Sequence, residues 1–106
     1  SIGKVLIMLH EQPAYPWTLN ELASRAGMSR AALAARFTHL IGQAPMQYLT
    51  LWRMQIAARL LADGSTKVAA VGREIGYESE AGFSRAFKKI VGVSPAAWRH
   101  SAFRNE

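Results

Sequence analysis

The sequence predicts an all-α fold of seven helices, arranged as two similar halves joined by one long helix. Three observations carry that expectation. Apolar residues recur at three- and four-residue intervals along the chain, and no stretch alternates as a half-buried strand does. Helix-starting residues (Thr18, Ser29, Pro45, Ser79, Pro95) alternate with glycines placed to end helices (Gly27, Gly42, Gly64, Gly76, Gly92). Finally, the second half repeats the punctuation and the apolar positions of the first.

Each element has its own warrant. Ile2, Val5, Leu6 and Leu9 share a side of a first helix that ends by Glu11, before Gln12-Pro13. The connector Ala14–Trp17 is punctuated by proline, with Tyr15 and Trp17 expected to pack inward. Thr18-Leu19-Asn20-Glu21 reads as a capping box, Thr18 capping and Glu21 reaching back, so a second helix runs to Ala26 and buries Leu19, Leu22, Ala23 and Ala26. After the Gly27-Met28 turn, Ser29 caps a third helix whose core positions are Leu33, Phe37, Leu40 and Ile41, and Gly42 stops it. Pro45 opens a long fourth helix, uninterrupted to Ala62, with Tyr48, Leu49, Trp52, Ile56 and Leu60 as its buried stripe and Arg53 and Arg59 at the flanks. Beyond the Gly64-Ser65-Thr66 break, a fifth helix is expected over Lys67–Ile75 and a sixth over Ser79–Val91. Pro95 starts a last turn of helix through Arg99, with a frayed tail from Ser101 to Glu106.

The repeat organises these elements. Leu22, Ala26 and Gly27 match Val71, Ile75 and Gly76 at an offset of 49; one residue is then added in the turn. Ser29, Leu33, Phe37, Gly42, Pro45 and Tyr48 match Ser79, Phe83, Phe87, Gly92, Pro95 and Trp98 at an offset of 50. Helix, glycine turn and second helix, with the apolar positions that let the two pack, make a helix-turn-helix. The chain therefore divides into a first subdomain (1–43), a connecting helix (44–63) and a second subdomain (64–106). In the second, Phe83, Ala86, Phe87 and Ile90 form one face of the helix after the turn. Ala81, Ser84, Arg85 and Lys88 fall on the other, which suits insertion into a DNA groove. A connecting helix of roughly 27 Å would set the two such helices about one duplex turn apart, roughly 34 Å.

Composition agrees with a polyanionic partner. The 106 residues suffice for one compact domain or two small subdomains, and 13 Lys+Arg against 7 Asp+Glu give a net charge of +6. Without cysteine there is neither a disulfide framework nor a thiolate metal site, consistent with a reducing cytosol. No apolar run approaches a membrane span and no signal-peptide pattern stands at the N-terminus. Ser1 in place of an initiator methionine predicts a piece of a longer protein. His10, His39 and His100 lack ligand-like spacing. Paired carboxylates, a nucleophile elbow and a phosphate-cradling glycine loop are all missing, so neither an enzyme nor a metal or cofactor site is expected.

Taken together, Met28-Ser29…Leu33…Phe37…Gly42…Pro45…Tyr48-Leu49, then Arg53…Ala57…Leu60-Leu61, Ile75-Gly76-Tyr77-Glu78-Ser79, Phe83-Ser84-Arg85-Ala86-Phe87-Lys88 and Gly92-Val93-Ser94-Pro95…Trp98-Arg99 resemble the AraC/XylS transcriptional regulators over nearly the whole chain. The resemblance implies a sequence-specific DNA-binding module of a bacterial, cytoplasmic regulator that associates with the nucleoid when bound. It also implies a position C-terminal to an effector-binding or dimerisation domain; Met28-Ser29-Arg30 and Trp52-Arg53-Met54-Gln55 look like members whose N-terminal domain is cupin-like. RNA polymerase is the further partner it suggests. By the same analogy the base-facing positions are Arg30, Ala31, Ala34 and Ala35 in the first unit and Glu80, Ala81, Gly82 and Arg85 in the second. Thr18, Ser29, Arg36, Ser84, Lys88 and Lys89 are the phosphate-contact candidates.

Arg85 can pair bidentately with guanine, and Glu80 can accept from cytosine N4 or simply favour the helix N-terminus. The first unit departs from the family, which commonly carries Arg at position 35 and larger polar residues at 31 or 34. Its alanines reach a thymine methyl but hydrogen-bond no base edge, so shape and charge carry more of its share. Two other functions compete. A basic helical module docking on the transcription machinery has no need of the hairpin twice, and an RNA-binding module would expose aromatics for stacking, whereas these lie on apolar faces.

Overall fold

A computed structural model describes residues 1–104 and contains seven helices and no strand among them: α1 (Ile2–Glu11), α2 (Leu19–Ala26), α3 (Arg30–Ile41), α4 (Pro45–Asp63), α5 (Val68–Glu74), α6 (Glu80–Val91) and α7 (Pro95–Arg104). The fold class is as expected. They form two compact units, Ser1–Trp52 and the residues from Arg53 onward, so α4 contributes its first half to one and its second half to the other. No described helix is long and apolar enough to cross a membrane.

In the first unit the core is Ile2, Val5 and Leu9 of α1, Trp17 of the connector, Leu22 and Ala23 of α2, Leu33 and Phe37 of α3, and Leu49 of α4. The Gln12–Trp17 connector is pinned because Trp17 is only 5% exposed and its indole donates to the Gln12 carbonyl at 2.8 Å. In the second unit Met54, Ala57 and Leu61 of α4 take the part that α1 plays in the first. They pack with Val71, Ile75, Phe83 and Phe87. The duplication is therefore wider than the two helix-turn-helices. Its period is a helix, a link, the helix-turn-helix, and the start of a closing helix at Pro45 or Pro95, both buried.

The backbone repeats almost bond for bond. Met28 N donates to Ala23 O and Tyr77 N to Gly72 O, each at 2.9 Å. Gly42 N donates to Thr38 O and Gly92 N to Lys88 O, each at 2.8 Å. Gly27, Gly42 and Gly92 turn the chain with φ of 67°, 88° and 98°, left-handed values that a side chain would strain.

Several expectations need correction. Leu40 and Ile90 lie on the apolar sides of their helices yet are 66% and 41% exposed, because each sits in a last turn beyond the buried Phe37 or Phe87. On α4 the fully buried residues are Leu49, Met54, Ala57 and Leu61, whereas Tyr48, Trp52, Ile56 and Leu60 are half-buried. The fifth helix is shorter than expected, Lys67 standing at its N-cap position with no side-chain cap bond. The seventh is longer. It continues through His100-Ser101-Ala102-Phe103 to Arg104, where no glycine or proline interrupts it, and the Phe103 ring lies against Gly64. Of the expected tail, Asn105 and Glu106 lie outside the described residues.

Candidate nucleic-acid interface

In the second unit α6 begins at Ser79, whose extended backbone (φ −128°) lets Oγ accept the Gly82 amide at 3.0 Å. A Cβ on residue 82 would stand 3.0 Å from that Oγ, so the glycine keeps the cap open. The inner face is anchored by Phe83 and Phe87, fully buried with ring centroids 5.7 Å apart. Phe83 also meets Tyr77 of the turn (5.8 Å), and Phe87 meets Trp98 of α7 edge-on (6.4 Å). Closest of all is the approach of α5, where a Cβ built on Gly72 would lie 2.9 Å from Phe83 Cβ. With that face fixed, Glu80, Ala81, Arg85, Lys88 and Lys89 are exposed, while Gly82 and Ser84 are half-buried.

The first unit builds the same device with different chemistry outside. Ser29 Oγ accepts the Ala32 amide at 3.1 Å, and Leu33 and Phe37 are fully buried, Phe37 meeting Tyr48 edge-on at 5.7 Å. Arg30, Ala31, Ala35 and Arg36 are exposed and Ala34 is half-buried. Thr18 is exposed at the start of α2, its Oγ accepting the Glu21 amide at 3.1 Å. Each unit thus gathers its own candidates at the outer side of the helix after its turn, with Thr18 set apart on the preceding helix.

Some cations are engaged with protein instead. Arg25 pairs with Glu21 at 2.8 Å, and its guanidinium lies over the rings of Tyr15 (5.3 Å) and Trp17 (5.0 Å). The Tyr15 phenol is pushed above its ordinary pKa, first by its hydrogen bond to Glu21 and then by burial. Arg53, expected at the flank of the fourth helix, is half-buried, and burial lowers its pKa. Tyr77 nearby has its own pKa raised by burial.

Sequence reasoning assigned no role to Arg99. Its Nε donates to Leu61 O at 2.9 Å and its Nη2 donates to Thr66 O, while the Trp98 indole donates to Ala58 O at 3.0 Å. Nothing in a sequence marks a carbonyl as short of a donor, so only the juxtaposition of α7 with the end of α4 shows this. Among the described residues no three acidic or histidine side chains gather as a metal site would.

Comparison with known proteins places this geometry. Residues 22–101 match the helix-turn-helix domain family. An AraC-like transcription regulator of Streptomyces antibioticus is 46% identical over 92% of this chain, which covers 32% of that regulator; the chain spans about a third of the length of the curated relatives it matches. Among solved structures, the DNA-binding domain of the global transcriptional factor AdpA, determined in complex with a target DNA, superposes with a TM-score of 0.93 at 31% identity, covering 99% of this chain and 95% of that one. The C-terminal domain of AraT, a response regulator from Geobacillus stearothermophilus, gives 0.91 at 27% identity, covering 94% of this chain and 84% of that one.

Proposed function

Because the chain belongs to the AraC-type helix-turn-helix family of transcription-regulator DNA-binding domains, we propose that it reads double-stranded DNA through α3 and α6, each in a major groove. Arg30, Ala31, Ala34 and Ala35 face bases from α3, and Glu80, Ala81, Gly82 and Arg85 from α6. Thr18, Ser29, Arg36, Ser84, Lys88 and Lys89 hold phosphate. The observation that carries this reading is the pair of capped helices, each anchored on two fully buried apolar side chains with its outer face left in solvent. The DNA held by the related AdpA domain supports it. In the cell the module serves a cytoplasmic regulator on the nucleoid, C-terminal to an effector or dimerisation domain of cupin-like type, and acts with RNA polymerase.

Discrimination is concentrated in the second unit. Arg85 is an exposed strong donor at a base-facing position, whereas its counterpart Ala35 offers a methyl group. In-vitro selection would define the site, and footprinting should then show two protected segments on one duplex, one for each unit. A single segment shorter than half a turn would refute bipartite reading. On the selected site Arg85→Ala should cost about 1–3 kcal/mol and relax selectivity at one base pair. Lys88→Ala should weaken all sequences alike and reduce the salt slope by about 0.9. Equal loss on every sequence for Arg85→Ala would make Arg85 a phosphate clamp and return attention to Arg30 and Arg36.

A further inference from the structure

The two units face one mechanical problem and solve it differently. In each, the helix-turn-helix hangs from the preceding helix by a short link, and the geometry of that link sets where the first helix of the pair begins. In the first unit the link carries its own anchor: Trp17, immediately before the Thr18 cap, is buried in the core and donates to Gln12 O. The second link is Gly64-Ser65-Thr66-Lys67, which has no large apolar side chain to bury. Its start is folded back by Gly64 N donating to Leu61 O at 3.1 Å. Its far end is reached by the half-buried Arg99, which spans Leu61 O in the last turn of α4 and Thr66 O two residues before α5.

A planar guanidinium with two directed donors on separate nitrogens can fix the separation of two carbonyls, whereas an ammonium, whose three N–H groups rotate about one nitrogen on a flexible stem, imposes no such spacing. The effect passes onward through close contact. Because α5 meets α6 where Gly72 touches Phe83, a shift at the start of α5 moves the helix that bears Arg85. The neighbouring Trp98 braces the same assembly through Phe87 and Ala58 O. In the repeat, the first-unit counterpart of Arg99 is Leu49, a fully buried core residue, so the clamp belongs to the second unit alone.

We infer that Arg99 is a positioning residue for base reading: it fixes the Gly64–Lys67 link so that α5 and α6 hold Arg85 in register with its base. This rests on the reading of α6 as a recognition helix.

The test compares the wild-type chain with Arg99→Lys, which keeps the charge but loses the rigid fork of two nitrogens. A second variant with one glycine inserted after Ser65 keeps Arg99 and frees the link. All three are titrated against the selected duplex and against duplexes altered at the base pair read by Arg85 or at one within the first unit's segment. Measurements are made at a temperature where circular dichroism shows every protein used to be fully folded. The wild-type preference for guanine at the Arg85 position should be about 5- to 150-fold. It should shrink at least threefold in both variants, while the preference in the first unit's segment stays unchanged. A merely structural Arg99 would lower the melting temperature and leave both preferences intact in the folded protein. That result, or equal loss in both segments, overturns the inference. If Arg99→Lys does not fold, the insertion variant decides by the same criterion. Absence of any sequence preference in the wild-type protein overturns the recognition-helix reading itself, and the inference with it.

Discussion

Replacing Gly72 with alanine sets two known effects against each other. In a helix interior alanine is favoured over glycine by up to about 1 kcal/mol, so propensity alone predicts stabilisation. Packing predicts the reverse. The added Cβ would stand 2.9 Å from Phe83 Cβ, 3.0 Å from Cγ and 3.1 Å from Cδ2. Phe83 Cβ is fixed by its own backbone, so no rotamer change relieves the nearest contact, and α5 and α6 must move apart. Overpacking of this kind costs about 1–3 kcal/mol; set against the propensity gain, the middle of that range leaves a net loss of about 1 kcal/mol. Gly3 provides the control, since it lies in α1 with nothing within 4 Å of its built Cβ. Gly3→Ala should be neutral or stabilising. Thermal melting separates the cases: at roughly 4–8 °C per kcal/mol for a domain near this size, Gly72→Ala should fall by roughly 4–8 °C while Gly3→Ala holds or rises. A Gly72→Ala protein that melts at or above wild type would refute the close approach of α5 to α6.

The other expectations concern single side chains. Trp52 is half-buried and its indole N–H is buried without an acceptor among the described residues, the ring centroid lying 4.6 Å from His10. Trp52→Phe removes that unpaired donor and should change stability by less than about 1 kcal/mol in urea unfolding, whereas Trp52→Ala should cost roughly 2 kcal/mol, less than a fully buried tryptophan; a loss above roughly 3 kcal/mol for Phe would show the N–H to be bonded. Burial raises the Tyr77 pKa, so the folded state favours the neutral phenol. Its contribution is complete below about pH 10 and is lost as pH rises from there through the folded value. Phenolate absorbance should show two late-titrating tyrosines, Tyr15 and Tyr77, of which Tyr77→Phe removes one; an unchanged late amplitude would assign the signal elsewhere.

What could be read from the sequence was whatever is local. Ser29 and Ser79 cap the helices after each turn because a side-chain oxygen three residues before an amide needs nothing else to be in place. Gly27, Gly42 and Gly92 end helices through their own φ. Burial depth was less legible, and α4 shows why. A single stripe was expected from Tyr48 to Leu60, but the helix serves two cores in turn. At 100° per residue, Leu49 and the group Met54, Ala57 and Leu61 lie on different sides of it, so no one periodic face describes its whole length. Leu40 and Ile90 fail for a related reason: periodicity gives a direction and not the point at which a neighbouring helix stops. Glu21, expected to close a capping box, pairs with Arg25 one turn further along α2, an i,i+4 spacing that competes with the reach back to the cap. At the interface, the residues on the outer faces followed from the repeat and the family resemblance. The clamp by Arg99 did not, because it depends on carbonyls 38 and 33 residues away along the chain.

The cage around Arg25 and the clamp by Arg99 also change what the formal charge means. Arg25 faces Glu21, Arg99 faces carbonyls and Arg53 is half-buried, so none of these stands ready to displace a counterion from DNA. Among the side chains described, the exposed cations that remain are unevenly divided: Lys4, Arg30 and Arg36 in the first unit, and Arg59, Lys67, Arg73, Arg85, Lys88 and Lys89 in the second. Counterion release follows the phosphates actually neutralised, so the two units will not respond to salt alike. The second unit's hold should fade first as ionic strength rises, leaving the first to depend on fit. Footprints taken across a salt series would reveal that order, and simultaneous loss of both protected segments would show that the exposed charge is shared more evenly in use than on the surface.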